Sequence, residues 1–256
     1  MRNFSPGLQQ FVQYRNQWVD TWTVVDTSSF DIREDAFRVN LKKLSHPFTD
    51  YIVQVKMISG TANKSRSDLW SDVAEVRAKT KPALPSGPPK VNLGSFQVQD
   101  TGSKRTVFAY WKLMAPQEFN GPNFRYVSRA GAMTPALING SYARFDDVPV
   151  SETNIKVTAA NSEGRATTWS SLVVPQAEFL VGLQPRSLTK IWKGAGNFEI
   201  AWRRPERDVT SYTLFWCRAE SGEDRPYQCD GYLDWKSLYP QGWKLMSCSH
   251  CQELCQ

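Results

Sequence analysis

Val107-Phe-Ala-Tyr-Trp111-Lys-Leu-Met-Ala-Pro116 alternates along its length, reaches a tryptophan and closes on a proline. Phe198-Glu-Ile-Ala-Trp202-Arg-Arg-Pro205 repeats the pattern, with Trp202 following Trp111 by 91 residues. Alternation of this kind belongs to a strand with one face in a core. A spacing of that length is a whole small domain, longer than the roughly 20–50 residues of a solenoid unit. The chain therefore reads as a string of similar β modules.

Working outward, Pro82-Ala-Leu-Pro-Ser-Gly-Pro-Pro89 carries too many prolines for a central strand and reads as a stiff linker. Beyond it, strands are expected at 91–98, 106–113, 124–129, 143–148, 154–160 and 167–174, with a loop around Asn139-Gly-Ser141. Many short strands in about 90 residues, without a helical period, point to an immunoglobulin-like β-sandwich. In Ile155-Lys-Val157-Thr-Ala159-Ala-Asn161-Ser-Glu-Gly164, the residues Ile155, Val157 and Ala159 should face the core, and Lys156 and Thr158 the outside. Tyr51-Ile-Val53-Gln-Val55-Lys-Met57 says the same earlier, and aligning the two puts Tyr51 opposite Thr153. A tyrosine at the start of this strand fits a tyrosine corner, its hydroxyl bonded back to the backbone.

These features resemble fibronectin type III modules: a tryptophan in the second strand, Leu44…Pro47…Thr49…Tyr51, then alternation ending in Asn-x-x-Gly. The fold class that follows is all-β, tandem immunoglobulin-like sandwiches of fibronectin type III type, the first and last truncated. The expected organisation is residues 1–82, a module lacking its first strands; 84–176, a complete module; 177–240, the N-terminal part of a third; and 241–256, a divergent tail with cysteines. The first module has no tryptophan near Gln9, and the third shows no alternating strand near Lys244. The expectation is an internal fragment of a longer chain, whose signal peptide and membrane span would lie in segments absent here.

Hydrophobic residues make up 41% of the 256 and charged residues 22%, values that exclude wholesale disorder. The formal charge of +6 is spread out, and no element interleaves basic residues with stacking aromatics, so a nucleic-acid partner is not expected. Attraction to an acidic protein or to polyanionic glycans is compatible with the same charge. Of two histidines, His46 and His250, neither belongs to a hydrolase, zincin or phosphate-loop motif, and Gly194-Ala-Gly196 lacks a third glycine. No catalytic site and no cofactor are expected.

All five cysteines lie beyond residue 216. Cys217 and Cys229 have a spacing that suits neighbouring strands of a hairpin, so a disulfide is expected, worth about 3 kcal/mol. The alternative is two free buried thiols. Cys248, Cys251 and Cys255 with His250 are too crowded for a standard zinc spacing, and no metal is expected. Asn3, Asn63 and Asn139 begin Asn-x-Ser sequons, which with the disulfide favour an extracellular setting.

Trp70-Ser71 and Trp169-Ser170 each stand at the start of a module's last strand. They are similar to the second half of the Trp-Ser-x-Trp-Ser box of class I cytokine receptors, with Ser67 and Ala166 in place of the first tryptophan. The resemblance implies that each indole stacks with basic side chains, and Lys56 and Lys156 are the expected partners. The stretches 211–217 and 225–235 resemble insect Domeless-type receptors, relatives of the interleukin-6 signal-transducing receptor. That resemblance implies a plasma-membrane receptor with these modules outside the cell, a helical cytokine and a receptor dimer partner, and signalling through a Janus-type kinase and a STAT factor. Ligand contact would fall at the elbow between modules, on His46, Pro47, Phe48, Phe119, Asn120, Phe124, Ser162 and Glu163. Competing readings are a fibronectin-module adhesion or matrix protein, and the ectodomain of a receptor phosphatase.

Overall fold

A computed structural model describes residues 7–26, 30–32, 37–41, 44–100, 102–183, 185–194, 197–219 and 229–238. They are almost entirely β, in antiparallel sheets. The chain divides into two compact units: Met1–Pro85 with Pro116–Asn123 and Asn161–Glu163, and Ser86–Ala115 with Phe124–Ala160 and Gly164–Gln256.

The first unit contains β1 (Leu8–Asn16), β2 (Val19–Val24), β3 (Phe30–Ile32), β4 (Phe37–Val39), β5 (Asp50–Ser59) and β6 (Ala74–Lys79). Four of these form one sheet in the order β2-β1-β5-β6, and β3 and β4 make a separate hairpin. The register sets Val12 opposite Val55 and Tyr14 opposite Val53, with Val76 on the other side of Val53. Period-two alternation puts these on one face. Val12, Tyr51 and Val53 are buried, yet all of β6 is exposed and Val76 is 58% accessible. One end of this apolar face is therefore open.

The second unit runs through β7 (Phe96–Asp100), β8 (Lys104–Tyr110), β9 (Arg125–Ala130), β10 (Leu137–Asn139), β11 (Tyr142–Pro149), β12 (Thr153–Asn161), β13 (Gly164–Arg165) and β14 (Ser170–Val174). The orders are β10-β11-β8-β7 and β13-β12-β14, with β9 on the free side of β12. Inward residues of both sheets share one core around Trp111, Phe145, Val107, Val148, Ile155, Val157 and Val174. This is a closed sandwich. Trp111 is fully buried and its indole Nε1 donates to the Gly140 carbonyl at 2.9 Å, so the largest core ring leaves no unmet donor.

Asn139 ends a short edge strand and is not in a loop, because Leu137 to Asn139 pair with Arg144 to Tyr142. Strand β7 begins at Phe96, later than the 91–98 pattern suggests, since a turn at 92–95 intervenes. Arg105 continues the inward alternation of β8 and is fully buried. Its guanidinium donates to the carbonyls of Pro149 at 3.0 Å, Ser151 at 2.7 Å and Pro175 at 2.7 Å. Three charge-assisted bonds offset the cost of taking that cation out of water.

After the short helix α1 (Ala177–Leu180) come two hairpins: β15 (Arg186–Gly194) with β16 (Asn197–Arg203), and β17 (Tyr212–Ala219) with β18 (Cys229–Leu238). All but the last residue of β15 are exposed, including Leu188 and Trp192. Lys112 Nζ reaches Asp234 at 2.8 Å and lies 5.8 Å from the Trp235 ring centre. The Lys112 hydrogen bond holds the Asp234 carboxyl below its ordinary range, against a smaller opposing effect of burial. The tail and its three cysteines, His250 and the Lys244 region lie outside the described residues.

Candidate functional site: linker loops and two tryptophan ladders

The first unit gathers distant stretches around the linker. Thr80 Oγ1 donates to the His46 carbonyl at 2.8 Å, and Phe48 N donates to the Lys81 carbonyl at 3.1 Å. These bonds fix the turn at Pro47-Phe48, where Phe48 sits at φ 48°, in the left-handed region that a bulky residue avoids. Lys79 Nζ lies 4.0 Å from the Phe48 ring centre and caps it.

Further along the same linker, Ala83 N donates to the Asn120 carbonyl at 2.9 Å, and Asn120 Nδ2 donates to the Leu84 carbonyl at 2.8 Å. Asn161 Nδ2 donates to the carbonyls of Ala83 at 2.7 Å and Phe119 at 2.9 Å. A Cβ on Gly121 would meet Asn161 Nδ2 at 2.6 Å, so this approach requires glycine. The structure therefore brings His46, Pro47, Phe48, Phe119 and Asn120 onto one short stretch, residues 80–84, that runs into the linker. Asn120 and Asn161 are buried and serve the linker, whereas Phe48 and Phe119 are half-buried. Ser162 and Glu163 are exposed beside Asn161, whose Oδ1 accepts from Glu163 N at 2.9 Å. Phe124, in the second unit, packs edge-on to Tyr126 at 5.1 Å.

The tyrosine corner is not formed among the described residues. Tyr51 is buried at the start of β5, but its hydroxyl has no hydrogen-bond partner there. Thr49 and Thr80 hold this corner instead: Thr49 Oγ1 donates to the Pro47 carbonyl at 2.9 Å, and Thr49 N donates to Thr80 Oγ1 at 2.9 Å.

Each Trp-Ser pair sits in a ladder of rings and cations. In the first unit, Lys56 Nζ lies 5.0 Å from the Phe11 ring and 4.9 Å from the Trp70 ring. The two rings meet edge to face at 6.0 Å. Ser71 binds the neighbouring strand: its N donates to the Met57 carbonyl at 2.8 Å and its Oγ accepts from Met57 N at 2.9 Å. The Trp70 indole Nε1 donates to the Lys64 carbonyl at 3.1 Å.

In the second unit the order is inverted. Trp169 is the central ring, with the guanidinium carbons of Arg129 and Arg165 at 4.7 and 5.7 Å from its centre. Lys156 is not its partner, contrary to expectation. Setting Tyr51 opposite Thr153 also sets Lys56 opposite Thr158, so Lys156 stands two residues short of the equivalent place. Thr158 is fully buried, not outward and open, and its hydroxyl donates to the Thr168 carbonyl at 2.8 Å. The stretch leading into Trp169 covers it. Ser170 Oγ donates to the Pro89 carbonyl at 2.6 Å, tying the last strand to the start of the module.

Cys217 is disulfide-bonded, and the register places it opposite Leu233, with Cys229 opposite Ala219. The side chains of the other four cysteines lie outside the described residues, as does Asn3. Asn63 and Asn139 are exposed, and Asn63 Oδ1 accepts from Ser65 N at 3.0 Å. Among the described residues no group of three or more His, Cys, Asp or Glu could hold a metal ion, and no helix is long and apolar enough to cross a membrane.

No protein-family model matches the chain. It is 29% identical over 201 residues to a Drosophila melanogaster protein described as a cytokine receptor. The match takes in 73% of this chain and 15% of that protein, so the chain spans a small part of its relative's length. Among solved structures it is similar to the chicken CNTN1 FN1–FN3 domains, with a TM-score of 0.43 and 16% identity, over 92% of this chain and 77% of that one.

Proposed function

We propose that this chain is an extracellular segment of a single-pass cytokine receptor, built of fibronectin type III modules, that binds a helical protein ligand. The observation that carries the reading is the convergence of loops 46–48 and 119–120 on residues 80–84, with Phe48 and Phe119 half-buried beside them. Its similarity to a cytokine receptor over most of its length supports the same reading against an adhesion protein or a phosphatase ectodomain. Partly exposed aromatics on a rigid frame are suited to anchor a protein partner. Phe48 and Phe119 are the anchors, His46, Pro47, Ser162 and Glu163 the surround, and Asn120 the scaffold; Phe124 is a separate contact on the second unit.

Trp70-Ser71 and Trp169-Ser170 serve as degenerate Trp-Ser boxes. Asn3, Asn63 and Asn139 carry glycans, and Cys217 pairs with Cys229. The full-length protein sits in the plasma membrane, pairs with a second receptor chain and signals through a Janus-type kinase and a STAT factor. The test is to express the full-length receptor in cells that lack it and to read STAT phosphorylation after adding the cytokine. Replacing residues 44–49 and 117–121 with Gly/Ser linkers should abolish the response while surface display persists. An undiminished response at equal display would overturn the ligand role of these loops.

A further inference from the structure

The ladder around Trp169 belongs to an unusual charge pattern. The strands β9, β12, β13 and β14 contain four basic residues, Arg125, Arg129, Lys156 and Arg165, and no Asp or Glu. Their register sets Arg129 opposite Lys156 and Arg125 opposite Ala160. Residues directly opposite in a ladder share a face, as do residues four apart in a strand, so Arg125, Arg129 and Lys156 stand on one side. It is the outward side, because the alternate residues Ser128, Ala130, Ile155 and Val157 are buried. Arg165 joins the group through the ring that it shares with Arg129. All four cations are exposed, and among the described residues none makes a salt bridge.

The matching sheet of the first unit shows that this is not a general habit of the chain. Strands β1, β2, β5 and β6 also contain four basic residues. There Arg15 pairs with Asp20 at 3.7 Å, Arg77 with Glu75 at 3.5 Å and Lys79 with Asp50 at 3.4 Å, while Lys56 contacts two rings. Positive charge is answered within that sheet and left unanswered on the other.

We propose that the outward face of β9, β12 and β14, with Arg165, is a docking surface for a sulfated polysaccharide. A row of exposed cations on strands that contain no carboxylates is complementary to a chain that bears repeated anionic esters. Arg125 and Arg129 lie roughly 13 Å apart along β9, at about 3.3 Å per residue, with Lys156 about 4.8 Å to the side. Several sulfates of one extended chain can therefore be met together. Stacking on Trp169 holds two guanidiniums in place, so less side-chain freedom is lost when their N–H groups meet sulfate oxygens. The same stacking occupies the indole, which removes the platform that a nucleic-acid base would need. The choice of an extracellular polyanion rests on the receptor reading above; the binding itself can be measured without any cytokine.

The experiment titrates the full chain with a heparin decasaccharide by calorimetry, from 50 to 300 mM NaCl. Binding is expected at about 150 mM NaCl, weakening steeply with salt as counterions are displaced. Combined R125Q and K156Q, neither of which touches Trp169, should weaken it at least tenfold. Adding R129Q and R165Q should remove it, with the circular dichroism spectrum unchanged. R77Q with K79Q on the first unit should have no effect. Absence of binding by the wild type, equal affinity in the R125Q and K156Q variant, or equal affinity for desulfated heparin, phosphatidylserine vesicles or duplex DNA would each overturn the proposal. Retained polysaccharide binding with no cytokine response would overturn the receptor reading alone.

Discussion

Two sheets of this molecule are built on one plan and differ in how they use charge. In the first unit one lysine contacts both Phe11 and Trp70, whereas in the second two arginines contact the one ring of Trp169. Both ladders cover the start of a last strand, and both box serines bond to backbone. The contact is worth about 0.5–1 kcal/mol per pair in either order, so stability is indifferent to which partner is central. Charge is not indifferent. Lys56 is half-buried against its two rings, whereas Arg129 and Arg165 are exposed beside theirs. The sheets also differ in closure, since the second faces a partner sheet across a shared core and the first leaves Val76 and the rest of β6 exposed.

The contrast in closure should show most strongly in stability. Trp111→Ala should cost about 3–5 kcal/mol, as removal of a fully buried ring does, while Val76→Ala should change stability by less than about 0.5 kcal/mol. Urea unfolding followed by amide exchange in each unit checks this. Comparable losses would show that the first sheet is as well covered as the second.

Much of this was legible in the sequence. The 91-residue spacing pointed to Trp111 as a core residue, and alternation correctly placed Ile155, Val157 and Ala159 inside. Alternation also puts Arg105 on the inner face of β8, a signal that is easily overlooked because a buried arginine needs three carbonyls that come from residues 149–175. What the sequence could not supply was cross-strand register. Arg129 and Arg165 come from two strands and Trp169 from the segment just before a third, and only pairing brings them together. The visible sign of the basic face was the absence of Asp and Glu from 125–130, 153–161 and 164–174, a pattern invisible when clusters are sought along the chain. The tyrosine corner failed for a related reason: a hydroxyl's partner depends on tertiary position, and the Thr49–Thr80 bonds hold that turn instead.

A smaller effect sharpens the ladder comparison. Lys56→Met should destabilise by about 1 kcal/mol, since two ring contacts are lost, and Lys156→Met by about zero, since Lys156 contacts neither ladder ring. Thermal unfolding of both variants decides it, and equal losses would mean that Lys156 supports Trp169 after all.

Under the proposed function, ligand contact lies on the linker loops and not on the ladders. The most direct test is the affinity of the full-length protein's ectodomain for the proposed helical cytokine, measured by surface plasmon resonance for Phe119→Ala and for Arg129→Gln. At least a tenfold loss is expected for Phe119→Ala, and an unchanged affinity for Arg129→Gln. Wild-type affinity in Phe119→Ala, or a loss confined to Arg129→Gln, would contradict it.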